Sequence, residues 1–238
     1  ALVSRKNDFK KVTENLKYLA EKTHVHSHVD LIVGLPGESV ESFALGFNEL
    51  ANLGSHEIQV GLLKRLKGTP IVRHDLNYQM VYQDHPPFQI LKTKDVSFEE
   101  MQMMTRFSKH WDLIGNSGHF SNFIQYLKTS SAHGSFFHEF SKFSQFLTTK
   151  FPTSHSISLN HLFESVFEFL AATTLSQTDA FALITKDYQK NGRRNLPTFA
   201  SISRDQVRKE KNSSLQKRQR AHRSEERRVG KECLRLCR

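Results

Sequence analysis

The residues best suited to chemistry surround a short apolar run near the amino terminus of the chain. Asp30 lies inside residues 28–34, HVDLIVG, a run that continues into the turn Gly34-Leu-Pro-Gly37. A carboxylate in an apolar run needs a partner. A backbone amide or Arg5 would make Asp30 structural, whereas a ligand hydroxyl such as that of a ribose would make it a binding residue. Gly34 and Gly37 leave backbone against which a flat ligand can lie. The residues alone leave both roles of Asp30 open.

Three histidines alternate immediately before this run. On a strand, His24, His26 and His28 would face one side, and two-residue spacing on a strand can ligate Zn²⁺. No cysteine is nearby, and a histidine is more often structural or solvent-exposed than a ligand. The sequence therefore predicts no metal site among these three side chains.

A small basic cluster follows the next apolar run. Lys64, Arg65 and Lys67 come directly after residues 57–63, EIQVGLL. Two interpretations stay open: a solvated loop, or contact with an anionic group of a substrate or cofactor.

The elements that would position these residues alternate between helix and strand. Helical spacing of apolar residues predicts helices over 8–22 and 39–53, the first with Asp8 near its N-cap. Residues 28–34 and 57–63 predict strands, the first of them buried on both faces. This order with short loops predicts a parallel sheet whose carboxyl edge holds the ligand.

The chain becomes helical after His85-Pro86-Pro87. Ser97 and Glu100 form the capping-box pattern of a helix start. Further helical stretches are predicted roughly over 119–128, 136–149, 159–173 and 178–189. The second of these stretches is rich in phenylalanine at helical spacing, which predicts a buried helix face. In the segment that follows Trp111, a core residue, Asn116-Ser-Gly118 predicts a turn. The fold class is therefore α/β followed by an all-α part.

Charge and cysteine are concentrated at the carboxyl end. Of the 34 basic and 24 acidic residues in the 238-residue chain, 13 and 5 lie within 204–238, which accounts for +8 of the net charge of +10. The rest is nearly neutral, which weakens a nucleic-acid role based on overall charge. Cys233 and Cys237 are the two cysteines. The absence of a structural disulfide framework and of a signal predicts a cytoplasmic setting, and no run is apolar enough for a membrane helix.

Several of these segments resemble a known family. Residues 30–39, DLIVGLPGES, and 57–71, EIQVGLLKRLKGTPI, resemble the later part of the TIM-like barrel of radical S-adenosylmethionine (radical SAM) enzymes. Residues 86–91, PPFQIL, and 111–120, WDLIGNSGHF, resemble the helical C-terminal domain of unknown function, DUF4080, of a group of cobalamin-binding radical SAM proteins. The resemblance implies the C-terminal part of the barrel, a partial barrel, followed by a helical domain.

The resemblance also implies domain boundaries. They are the partial barrel over 1–75, the helical extension over 80–203, and a basic tail over 204–238. About 223–238 of that tail resembles a non-native extension and is left out of the fold argument.

The resemblance assigns an S-adenosylmethionine site to this chain. On the matching positions, Asp30 would contact the ribose and Arg5 the methionine carboxylate, a pairing that suits a guanidinium. The adenine would be lined by Ile32, Val33 and Gly34 and closed by Leu62 and Leu63. Catalytic residues stay unassigned.

The family's cluster cysteines are absent from the chain. Radical SAM enzymes hold a [4Fe–4S] cluster with a C-x3-C-x2-C motif, which these 238 residues do not contain. We therefore expect the N-terminal half of the same protein to be missing and the fragment alone to be inactive. The parent would carry the cluster and cobalamin and act on an unknown substrate by radical chemistry or methyl transfer. The alternative is a helical module that binds nucleic acid or protein without catalysis.

Overall fold

A computed structural model describes most of the chain in two compact units. The units are Ala1–Ser158 and Leu159–Arg238. The described residues are 8–54, 57–130, 134–152 and 157–190. Arg5 and the predicted tail over 204–238, with its non-native part, lie outside them. The predicted boundary between residues 75 and 80 lies inside the first unit and does not divide the two units.

The first unit begins with the predicted alternation of helix and strand. Its first elements are α1 (Phe9–Lys22), β1 (His28–Val33), α2 (Val40–Asn52) and β2 (Glu57–Leu62). The side chains of Asp8 and Ser39 cap α1 and α2 by accepting hydrogen bonds from backbone amides in the first turn. The strands pair in parallel, with Asp30 opposite Gln59, and α2 is the crossover between them. The four predicted elements are confirmed to within about a residue at each end.

One expectation about β1 is wrong. The strand is not buried on both faces: His28, Asp30 and Ile32 are exposed, whereas Val33 is buried. Successive side chains of a strand point to opposite faces, and no described element covers the face that carries Asp30. On the opposite face of the sheet, Val29 and Leu31 lie beside Ile58 and Val60 of β2, which are buried. Asp30 therefore lies on an open face and needs no buried partner.

The remainder of the first unit adds a hairpin and three helices. It comprises a short 3-10 helix (Pro70–His74), β3 (Val81–Tyr82), β4 (Ile90–Lys92), α3 (Phe98–Ile114), α4 (Ser121–Ser130) and α5 (Phe136–Lys150). The capping box at the start of α3 is confirmed. The Glu100 amide donates to Ser97 Oγ at 3.2 Å, and the Ser97 amide donates to Glu100 Oε2 at 2.8 Å. The antiparallel β3–β4 hairpin was not predicted.

The second unit contains two described helices. These are α6 (Leu159–Ala171) and α7 (Gln177–Lys190), which pack against each other. The Phe163 and Tyr188 rings meet edge to face at 5.1 Å between centroids. The described residues thus form seven α-helices and four short strands, which confirms a mixed α/β fold with a predominantly helical later part.

Aromatic side chains form the core of the first unit. Phe47 of α2 is fully buried, and its ring lies 4.8 Å from Trp111 and 5.3 Å from Phe107, both on α3. It also lies within 5.9 Å of the rings of Phe136 and Phe137 at the start of α5. The predicted buried face of the phenylalanine-rich helix is therefore confirmed, and it packs against the crossover helix.

Truncating the central ring of this core should destabilise the first unit. Phe47→Ala removes contacts with α3 and α5, so we expect a loss of about 3–5 kcal/mol in the free energy of unfolding. Urea denaturation measures it, with Leu45→Ala on the exposed side of α2 as the control, where we expect a change below about 0.5 kcal/mol. Equal losses in the two variants would contradict the proposed core.

A histidine is buried beside this core. His110 of α3 is 1% exposed, and its Nδ1 lies 2.8 Å from Ser144 Oγ of α5. Within the described residues, its Nε2 is buried without a hydrogen-bond partner. Burial lowers the pKa of His110 to about 4, and the positive charges of Arg106 and Lys109 act in the same direction.

Acid should therefore destabilise the protein through His110. The unfolded chain takes up this proton near pH 6.5 and the folded chain only near pH 4, so the unfolded state binds more protons between these values. The free energy of unfolding should fall as the pH drops through this interval, by up to about 1.4 kcal/mol per pH unit. His110→Gln should show a shallower fall when both proteins are denatured with urea from pH 7 to pH 4. Parallel pH curves would contradict this role.

Candidate functional site

Side chains of α3 occupy the outer edge of β2. Trp111 Nε1 donates to the Ile58 carbonyl at 2.7 Å, and the Ser108 hydroxyl donates to the Val60 carbonyl. The Asn116 side chain donates to the Ile58 carbonyl at 3.0 Å and accepts from its amide at 3.2 Å. The predictions of Trp111 as a core residue and of a turn at residues 116–118 are confirmed. Together these bonds fix β2 against α3.

The hairpin is hydrogen-bonded to the segment that follows β2. The Ile90 amide donates to the Leu63 carbonyl at 2.9 Å, and the Arg65 amide donates to the Phe88 carbonyl at 2.9 Å. Residues 63–65 are consequently held in an extended conformation, in which successive side chains point to opposite sides.

A groove of about 490 Å³ opens where β1 and β2 end. Ile32, Leu62 and Leu63 line it together, so the structure brings these three predicted site residues to one surface. Lys64 from the end of β2 and Lys109 from α3 add positive charge to its lining. An apolar wall flanked by cations is suited to a ligand with a flat apolar part and an anionic group.

Asp30 lies on the same exposed face as Ile32, two residues earlier in β1. Its carboxylate is therefore accessible to a ligand placed along that face. Gln59, its neighbour on β2, is also exposed and adds an amide to the same surface.

Val33 and Gly34 have a different environment. Val33 is 2% exposed and faces the core. A Cβ atom on Gly34, whose φ is +88°, would lie 2.9 Å from Cγ2 of Ile90 and 3.1 Å from Cε of Met101. The missing side chain of Gly34 thus makes room for the protein's own β4 and α3. The sequence did not predict the β3–β4 hairpin, and the contact of Gly34 with Ile90 could not be predicted without it.

The basic cluster after β2 divides between two surroundings. Lys64 lines the groove, whereas the Arg65 guanidinium lies 3.6 Å from the Asp75 carboxylate and 5.7 Å from the centre of the Tyr82 ring. Lys67 is exposed. Of the two interpretations, contact with a ligand therefore applies best to Lys64.

A second cluster lies at the opposite end of the two strands. His26 Nδ1 is 3.0 Å from His28 Nε2, and His28 Nδ1 is 2.9 Å from Glu57 Oε2. Glu57 is the register partner of His28 on β2. The alternation of histidines in the sequence indicated the first pair, and the strand register supplies the carboxylate.

Comparison with known families identifies the helical part. The family described as "Protein of unknown function (DUF4080)" matches residues 76–231, which is more than half of the chain. The chain belongs to the DUF4080 family. No curated protein is similar enough to the chain to be matched with it. Among the described residues, no helix of this DUF4080 protein combines the length and the apolar character needed to cross a membrane.

The DUF4080 protein also contains a carboxyl group that the sequence argument did not single out as a site. Glu38 follows the Gly34–Gly37 turn and precedes α2. Its Oε2 is buried and has no hydrogen-bond partner within the described residues. Desolvation raises the pKa of Glu38 to about 7.

Removing this carboxyl should stabilise the DUF4080 protein at alkaline pH. The folded chain keeps the Glu38 proton up to about pH 7 and the unfolded chain releases it near 4.5, so the free energy of unfolding falls as the pH rises between them. We expect Glu38→Gln to gain on the order of 1–2 kcal/mol at pH 8, after allowance for partial exposure, and nothing at pH 4.

Urea denaturation at the two pH values tests this expectation. The control is Glu41→Gln, an exposed residue in the first turn of α2, where the helix dipole favours a negative charge. A Glu38→Gln gain that is the same at pH 4 and pH 8 would exclude a desolvated carboxyl as its cause.

Proposed function

We propose that the chain is the closing, C-terminal part of a radical SAM barrel, from a cobalamin-binding parent enzyme that cleaves S-adenosylmethionine. The observation that carries this proposal is the groove at the carboxyl ends of β1 and β2, where Ile32, Leu62 and Leu63 meet. Parallel β/α barrels and open α/β sheets bind their ligands at this end of the strands. The parent's substrate for radical chemistry or methyl transfer stays unidentified.

The two edges of the small sheet support the proposal. The outer edge of β2 is hydrogen-bonded to side chains of α3, which satisfy its carbonyl groups without a further strand. Within the described residues, β1 has β2 as its one paired neighbour, and its face with Asp30 and Ile32 is exposed. Further strands added beside β1 would turn that face into the lumen of a barrel.

The groove and the exposed face of β1 suit the nucleoside part of S-adenosylmethionine. Ile32, Leu62 and Leu63 offer an apolar wall to an adenine ring, and the Asp30 carboxylate can accept hydrogen bonds from ribose hydroxyls. Val33 and Gly34 are buried, so they would act through their backbone. Arg5, assigned to the methionine carboxylate, lies outside the described residues.

The described residues do not fit a [4Fe–4S] cluster. They contain no cysteine, and cysteine thiolates are the usual ligands of such clusters. In the proposal, the cluster and cobalamin belong to the N-terminal half of the parent, which is the partner of this chain. The role of the chain is to bind and position the nucleoside.

A titration of the chain with S-adenosylmethionine tests the nucleoside surface. Because the chain would supply only part of the contacts, we expect weak binding, with a dissociation constant on the order of 1 mM. Methyl NMR signals of Ile32, Leu62 and Leu63 should shift together. Ile32→Glu should abolish these shifts, and Leu45→Glu, on the exposed side of α2, should leave them intact. Absence of the shifts in the wild-type chain at several millimolar ligand would contradict the surface.

The full-length parent supplies the test of the reaction. The reading frame upstream of Ala1 should encode C-x3-C-x2-C, and the reconstituted protein should release 5′-deoxyadenosine from S-adenosylmethionine. Asp30→Ala should raise the dissociation constant for S-adenosylmethionine at least 10-fold, about the loss expected from a hydrogen-bonded charged acceptor. A start codon immediately before Ala1, or unchanged affinity in Asp30→Ala, would overturn the corresponding part of the proposal.

A further inference from the structure

We propose that His26 and His28 bind a divalent transition-metal ion such as Zn²⁺, with Glu57 as the residue that positions His28. This site is separate from the groove. Ile32 lies four positions after His28 in β1, which is about 13 Å at the rise of a parallel strand. The proposal therefore does not depend on the nucleoside surface.

The spacing of the ring nitrogens carries the proposal. His26 Nδ1 and His28 Nε2 lie 3.0 Å apart. Two nitrogens bound to one tetrahedral Zn²⁺ at 2.0–2.1 Å are separated by roughly 3.3 Å, so the two rings need to part by only a few tenths of an ångström. The rings are inclined at 53° with centroids 4.7 Å apart, and the candidate ligand atoms of His26, His28 and Glu57 all lie within 4.8 Å of one another.

Glu57 determines which nitrogen of His28 faces that point. Its Oε2 lies 2.9 Å from His28 Nδ1, so in the proposed site this contact would hold the ring proton on Nδ1 and leave the lone pair of Nε2 for the metal. A carboxylate behind a ligating histidine is the usual way in which proteins orient the ring and raise its basicity. His26 would then carry its own proton on Nε2 and coordinate through Nδ1.

The position of the cluster explains what the ion would do. His26 lies in the segment between α1 and β1, His28 begins β1, and Glu57 begins β2. The side chain of His28 is 57% exposed and that of Glu57 is 32% exposed, so water can complete the coordination. A bound ion would fix the segment before β1 to the amino ends of both strands. Imidazole nitrogens with a carboxylate behind them suit Zn²⁺ and its neighbours better than Mg²⁺ or Ca²⁺.

Zinc titration of the full chain tests the site. The protein is prepared without a histidine tag and with Cys233→Ser and Cys237→Ser, because thiolates elsewhere in the chain would compete for zinc. Calorimetry should show one Zn²⁺ bound per chain, ahead of any weaker binding to the other histidines. His26→Ala and His28→Ala should each weaken binding at least 10-fold, and Glu57→Gln should weaken it about 10–100-fold. His24→Ala is the matched control, an exposed histidine two residues upstream, and should change the affinity less than 2-fold.

Ring-nitrogen NMR distinguishes ligation from positioning. Zn²⁺ should shift His26 Nδ1 and His28 Nε2, and Glu57→Gln should bind zinc more weakly through the same two nitrogens. Zinc should also raise the thermal unfolding midpoint of the chain with Cys233→Ser and Cys237→Ser, and leave the midpoint unchanged when His28→Ala is added. Circular dichroism without metal verifies that each variant is folded. Equal weakening by His24→Ala, shifts spread evenly over all histidines, or no stoichiometric binding would overturn the proposal.

Discussion

The hydrogen bonds from α3 to the outer edge of β2 are the constraint on which the rest of the first unit depends. A two-stranded parallel sheet has too little buried surface to be stable by itself. Here the Ile58 and Val60 carbonyls receive donors from Trp111 and Ser108, so the edge is satisfied by side chains instead of a third strand. The same Trp111 ring contacts Phe47 of the crossover helix. Strand edge and aromatic core are therefore one assembly, and the groove has fixed walls because of it.

The sequence predicted the helices and strands whose formation depends on residues close together in the chain. Capping residues such as Ser39 and Ser97, together with apolar periodicity, located most elements of the described residues. It did not predict what depends on distant contacts. Gly34 was interpreted as a ligand platform because its contact with Ile90, 56 residues away, requires a hairpin too short to show periodicity. The spacing of Ser108 and Trp111, three residues apart on α3, was a usable signal for a polar helix face, but its partner edge could not be known.

The exposure of Asp30 was not predicted for the same reason. An apolar run predicts a strand, but the number of layers around it depends on other segments, and one face of β1 has no cover among the described residues. The candidate functional residues lie at both ends of the small sheet. Ile32 and Leu62 lie at the carboxyl ends of the strands, whereas His28 and Glu57 lie at the amino ends. Opposite ends of one small sheet thus carry different chemistry, an apolar groove with cations and a cluster of metal-binding type.

The DUF4080 helices of the first unit contribute directly to the packing of the small sheet. The family match begins at residue 76, after β2 has ended, and yet α3 and α5 supply the donors and aromatic rings that hold β2 and α2. Removing them would leave carbonyl groups of β2 without partners and Phe47 without its neighbours, and unpaired buried groups are costly. A sheet edge covered in this way cannot accept another strand. If the parent is a barrel, further strands can therefore be added only at the free edge of β1. Asp30 and Ile32 lie on the exposed face of that same strand.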